Sequence, residues 1–178
     1  MRLFFANPIP VGMESECEYC AADSIEPPAF FTALFNEYAP PGIRVTAAFE
    51  TPENPNVPHI SGACGYIIKI PGAGNFATDI INLKSASVII ASKKSEPEDV
   101  ADRIVNISVK GDEIYAVLGQ GTKNLRADRL AEFIINKFSL PREVDILRKN
   151  LYNTDKGGLI NLDDYITVKY NTRKWMPE

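Results

Sequence analysis

The chain has 178 residues, 45% of them hydrophobic and 24% charged, with a net charge of −4, which fits an ordinary globular protein with a real core. No apolar run approaches the roughly 20 residues of a membrane span, and no basic segment leads into an apolar stretch as in a secretory signal. Three cysteines are odd in number and too few for a disulfide framework, so a cytoplasmic protein without a cofactor is expected.

Arg2 to Ile9 reads as a short strand stopped by Pro8 and Pro10, and Glu16 to Ala22 as a second, joined to it by a turn around Gly12. Pro27 and Pro28 sit at a helix start, and Ile25, Phe30, Phe31, Leu34, Phe35 and Tyr38 share one face at 3.6-residue spacing. These aromatics read as core rather than as a base-stacking platform. Pro40-Pro41-Gly42 ends the helix, and Ile43 to Phe49 is the next strand. Residues 1–50 thus form a block of strand, strand, helix and strand. Residues 51–62, with three prolines from Thr51 to His59, read as a semi-rigid linker.

The second block spans 63–152. It begins with a strand at Gly65–Ile70, a turn at Pro71–Gly74 and a short helix capped by Asn75. A strand at Ser87–Ala91 is followed by a charged surface loop, Lys93–Asp99, and a hairpin of Ile104–Val109 and Ile114–Leu118 across Gly111-Asp112. The strongest helix runs from about Asn124 to Phe138, with Leu130, Phe133, Ile134 and Phe138 as its buried stripe. Val144–Leu147 is the last core strand, and residues 153–178 form a polar tail with one more strand at Tyr165–Tyr170. This order is that of the split βαβ ferredoxin-like fold with an extra strand in its middle connection. The first block is the same unit without its opening strand and helix. The expected fold class is therefore α+β, two ferredoxin-like units with mainly antiparallel sheets, the first incomplete. A missing edge strand would favour a homodimer or a strand-donating partner.

Charge divides the chain unevenly. Residues 1–60 hold two basic and eight acidic residues, a net of −6, whereas the remainder is +2. Any nucleic acid would then lie on the second half. There Gly119-Gln120-Gly121 precedes a helix with Lys123, Arg126 and Arg129 beside it, and backbone N–H groups at a helix start attract anions. The dinucleotide pattern fails, because Asn124 stands where a glycine is needed and the preceding strands form a hairpin. The bland alternative is a glycine turn, an Asn124 cap and solvated arginines. Cys17, Cys20, His59 and Cys64 supply the ligand types of a Cys₃His zinc site, although the C-x-x-C reads as strand, where positions i and i+3 face opposite sides. His59 is the one histidine, with no acid or nucleophile near it in sequence, so no catalytic residue is assigned.

Asn7 to Tyr19, NPIPVGMESECEY, resembles the P-L-P-V-G-x-x-S-x-x-E-Y segment of the bacterial radical-SAM-linked protein family, with Pro10, Gly12, Ser15 and Glu18 at matching positions. NLRADRLAEFI resembles that family's S-L-R-P-D-x-L-L element, and Val144–Tyr152, VDILRKNLY, its closing I-x-R-x-x-L-Y. The resemblance covers about residues 3–152. It implies an accessory or substrate-presenting module without catalysis of its own, working with a radical SAM enzyme. If the substrate is RNA, the implied contacts are Lys123, Arg126, Arg129, Arg148 and Lys149. Family members begin earlier, with a strand, a helix bearing H-L-D and a G-F segment that this chain does not carry. A tandem ferredoxin-like ribonuclease and a small zinc-binding domain are the alternative readings.

Overall fold

The computed structural model describes residues 3–92, 95–155 and 157–177. In chain order its elements are β1 (Leu3–Phe5), β2 (Glu14–Ser15), β3 (Cys20–Ala22), α1 (Pro28–Tyr38), β4 (Ala48–Phe49), α2 (Val57–Ile60) and β5 (Ala63–Lys69). Next come α3 (Ala77–Ile81), set between two 3-10 turns, β6 (Ile89–Ser92), β7 (Ser95–Asp99), β8 (Ile104–Lys110) and β9 (Glu113–Gly119). The last five are α4 (Ala127–Phe138), β10 (Asp145–Asn153), β11 (Ile160–Asn161), α5 (Leu162–Tyr170) and β12 (Lys174–Trp175). The protein is α+β, and its sheets are mostly antiparallel.

The central sheet has the order β11-β10-β5-β9-β8, with β2 added alongside β10 in parallel. Register fixes which side chains share a face. Ile68 pairs with Ile114 on one side and Ile146 on the other, and Tyr66 pairs with Ala116 and Arg148. All six are buried. The alternate positions Lys69, Tyr115 and Asp145 are exposed, the pattern of an antiparallel sheet packed on one side. α4 places Leu130, Ala131, Ile134 and Ile135 in the same core, with Ile80 of α3 and Leu83 just after it. Their i, i+4 spacing is what the sequence periodicity predicts. Gly74 lets the 3-10 turn before α3 come close to the hairpin turn: a Cβ there would lie 2.8 Å from the Gly111 carbonyl oxygen.

Several expectations need correction. The strands of residues 1–50 do not assemble into one sheet. β1 pairs with β3, β2 joins β10, and β4 pairs with β12. Pro8, Pro10 and Gly12 cut these segments into pieces of two or three residues, too short to build a sheet alone; Arg2 lies outside the described residues. The strand expected over Ile43–Phe49 is reduced to Ala48–Phe49, because Asn36 takes both backbone groups of Val45. The linker ends in α2, whose Val57 and Ile60 are buried. Asn75 makes no side-chain cap and lies in a 3-10 turn before α3. Ser95–Asp99 forms β7 rather than a loop, its hairpin closed by the Asp99 carboxylate, which accepts from Val88 N, Ser87 Oγ and Ala101 N; Lys93 and Lys94 lie outside the described residues.

The start of α4 is shifted from Asn124 to Ala127, with Arg126 at the cap and no side-chain cap bond. β10 runs on to Asn153 because Leu151 and Asn153 continue its buried positions beyond a bulge at Arg148/Asn150. The strand expected at Tyr165–Tyr170 is the helix α5. The Asn161 side chain caps it at the Asp163 N–H, Asp163 and Asp164 fill its first turn, and Leu162 and Ile166 bury at i, i+4.

Candidate functional site

β2 and β10 run in parallel with Ser15 opposite Arg148, and Glu16 N donates to the Arg148 carbonyl at 2.9 Å. This short ladder brings the two ends of the chain together. Arg148 is 2% exposed, since its place in register beside Tyr66 and Ile146 turns it to the covered face. Its Nη1 donates to the Asn7 carbonyl at 2.7 Å and to Glu18 Oε1 at 2.9 Å, and Nη2 lies 3.5 Å from the Tyr66 hydroxyl. The guanidinium stands 5.8 Å from the Tyr66 ring centroid. Ser15 Oγ donates to the same Glu18 oxygen at 2.5 Å and accepts from Cys17 N. Asn7 also donates through Nδ2 to Gln120 Oε1 at 2.8 Å, and Gln120 N donates to the Gly62 carbonyl.

The first and third of the sequence motifs thus meet at Asn7, Glu18 and Arg148, and Asn7 ties them to Gln120 in the turn before α4. Pro10 and Gly12 make the turn that returns the chain to β2: Met13 N donates to the Pro10 carbonyl, and Gly12 takes φ +91° with open space around it. Arg148 Nε is buried and has no hydrogen-bond partner among the described residues. Burial opposes the charge of Arg148, but Tyr66, Cys64 and Glu18 more than offset it and raise its pKa. Burial, then Cys64, pushes Tyr66 up to about 12. Burial pushes Cys64 up to about 11 and also raises Cys17. Both thiols are therefore protonated near neutral pH, the form that neither attacks nor ligates.

The expected zinc ligands are dispersed. Cys64 is buried on β5, Cys17 is half-buried in the loop after β2, Cys20 is exposed on β3 and His59 is exposed on α2. Among the described residues no group of three or more His, Cys, Asp or Glu is placed to hold a metal ion. Cys17 lies outside the strand that was expected to carry it.

The basic candidates are not one surface. Arg126 is bonded to Asp128 at 2.9 and 2.5 Å, Arg129 to Glu132 at 3.0 Å, and Lys149 to Glu16. Arg148 is interior, and the side chain of Lys123 lies outside the described residues. Gly121 takes φ +70° in the turn, which explains its glycine without a ligand. Sequence reasoning treated Arg148 as a surface cation. The signal against this was parity: Arg148 is two positions from the buried Ile146 on the same strand, before the bulge.

A second cluster was not foreseen. The Tyr19 hydroxyl donates to Asp163 Oδ1 at 2.5 Å, and Lys174 Nζ donates to Oδ2 at 2.5 Å. Burial and the Asp163 bond raise the Tyr19 pKa. Separately, an open hollow of about 1010 Å³ lies beside α1, lined among others by Thr32, Asn36, Pro41, Ile43, Arg44 and Trp175. The opposite face of α1 carries its large apolar side chains outward: Phe30 is 53% exposed, Leu34 45% and Tyr38 75%. The helix buries Thr32 instead, so the expected burial of its aromatic face is reversed.

No helix among the described residues is long and apolar enough to cross a membrane. Residues 1–127 match a family described as an uncharacterized protein conserved in bacteria (DUF2344). No curated protein and no solved structure matches the chain.

Proposed function

The chain belongs to that uncharacterized bacterial family, and from this premise we propose that it is a non-catalytic accessory or substrate-presenting module that docks on a radical SAM enzyme. The observation that carries the reading is the outward apolar face of α1. An exposed row of large apolar side chains on one helix is a surface for association rather than for solvent. The radical SAM partner comes from the resemblance of Asn7–Tyr19, Asn124–Ile134 and Val144–Tyr152 to the radical-SAM-linked family. The meeting of the first and third of those stretches supports it, because Asn7 and Glu18 both bond the Arg148 guanidinium.

The order β10-β5-β9-β8, all antiparallel, with α3 and α4 as the two connections, supports reading residues 63–152 as a ferredoxin-like unit with the β6–β7 hairpin inserted in its first crossover. RNA contact would fall to Arg126 at the cap of α4 and Arg129 in its first turn. The test is affinity purification from a bacterial host that makes both proteins. A radical SAM protein in stoichiometric amount that survives nuclease treatment supports the reading. Its absence, or its release by nuclease, overturns it.

A further inference from the structure

Helix α1 is oriented by polar bonds, not by its apolar residues. Asn36 accepts from Val45 N at 2.7 Å and donates to the Val45 carbonyl at 3.0 Å, while Thr32 is buried with its hydroxyl on the Ala29 carbonyl. Rotating the apolar face inward would break both Asn36 bonds and expose Thr32. That face is therefore fixed outward. At about 100° per residue, Phe30, Leu34 and Tyr38 form an i, i+4, i+8 row, and Phe31 and Phe35 form a second row beside it. The Phe31 and Phe35 rings are 6.5 Å apart with their planes at 29°, so the surface is a ridge of the kind that packs into the groove of another helix.

The flank of the ridge has one sign of charge. Glu37 lies about 20° around the helix from Phe30, and Glu26 and Asp23 precede the helix. All three are exposed and form no ion pair among the described residues. The sole described cation of residues 1–60 is Arg44, which lines the hollow on the other side of α1. Two copies meeting through this face would set acid against acid. A partner with lysine or arginine along its edges would gain at each contact.

We propose that the outward face of α1 receives a basic amphipathic helix from a second protein. Its apolar stripe packs on Phe30, Leu34 and Tyr38, and its flanking cations meet Glu26 and Glu37. The inference rests on the accessory-module reading and names the chemistry of the docking surface. Two synthetic 18-residue helical peptides test it on the full chain, both with leucine at i, i+3, i+4 and i+7, one flanked by lysine and the other by glutamate.

By fluorescence anisotropy the lysine peptide should bind about tenfold more tightly than the glutamate peptide at low salt, with the gap closing as salt rises. Leu34→Asp should abolish binding of both, and the pair Glu26→Lys and Glu37→Lys should invert the preference. Equal binding of the two peptides, binding of neither, or a dimer that Leu34→Asp dissociates would overturn the proposal. A radical SAM protein that still co-purifies undiminished with the Leu34→Asp chain also overturns it, while leaving the accessory reading standing. Peptide binding without any radical SAM protein in the purification removes that reading alone.

Discussion

Asn7 and Arg148, 141 residues apart, are joined by a 2.7 Å bond from the guanidinium to the Asn7 backbone carbonyl. The Asn7 side chain reaches on to Gln120, so one residue near the start of the chain ties β10 to the turn before α4. The carbonyl is what Arg148 needs, for a buried guanidinium is costly unless its donors are filled.

Removing Arg148 therefore tests the junction. Glu18, whose side chain is 41% exposed, can rehydrate when its partner is lost, which lowers the cost below the roughly 3–5 kcal/mol of breaking a fully buried pair. Arg148→Met is expected to lose about 2–3 kcal/mol in urea unfolding. Glu18→Gln alone should lose about 1 kcal/mol, and the two together should fall short of additivity by about 1 kcal/mol. An Arg148→Met chain within 0.5 kcal/mol of the parent would show the junction to be incidental.

Cys64 sets an alkaline limit. Its thiol has an ordinary pKa near 9 when unfolded and is pushed up to about 11 in the fold by burial. Between those values the unfolded chain has released the proton and the folded chain holds it, so stability is full below pH 9 and falls as pH rises towards 11. The loss attributable to this group is about 2–3 kcal/mol. Cys64→Ala should flatten that limb of the pH–stability curve while lowering stability at neutral pH through the cavity it leaves. Parallel curves for the two proteins between pH 9 and 11 would assign the alkaline loss elsewhere.

The hairpin β8–β9 and helix α4 were legible because each carries its own signal. Ile114, Ala116 and Leu118 alternate, Leu130 and Ile134 recur at four, and Gly111-Asp112 makes the turn. α1 was legible as a helix but not in its orientation. Periodicity shows that an apolar face exists, and the choice of Thr32 for burial depended on Asn36 finding Val45 nine residues on. The Arg148 cluster was half-legible. Two of its motifs had been singled out separately, but that Ser15 and Glu18 meet a residue 130 or more positions away depends on a parallel pairing of two residues, below any sequence threshold. α5 was misread because Tyr165, Ile166 and Val168 favour strands, while its Asn161 cap and acidic first turn favoured a helix.

Asp163 anchors α5 to both ends of the chain through Tyr19 and Lys174. Asp163→Asn keeps the shape but loses the charge that both bonds use, so about 1–2 kcal/mol should be lost. For a chain of this size that is a fall of about 2–8 °C in Tm. Tyr19→Phe removes one bond and leaves Lys174 in place, and should cost about 1 kcal/mol. Equal losses in the two variants would mean that the Lys174 arm contributes nothing.

The pairing of Arg126 with Asp128 and of Arg129 with Glu132 makes a quantitative statement about RNA. A cation that already has a carboxylate neutralises little additional phosphate charge, and each phosphate contact on a single strand contributes about −0.7 to the slope of log K against log salt. The parent chain should therefore bind a uridine oligonucleotide weakly, with a slope shallower than about −1. Asp128→Asn with Glu132→Gln frees both arginines, and should steepen the slope by about 1 to 1.5 and raise low-salt affinity roughly tenfold. Fluorescence anisotropy across 50 to 200 mM salt, about the range over which such contacts separate, measures both. A parent slope of about −3 or steeper would require a phosphate-binding surface other than these two arginines. An unchanged slope in the double variant would show that α4 does not face the RNA.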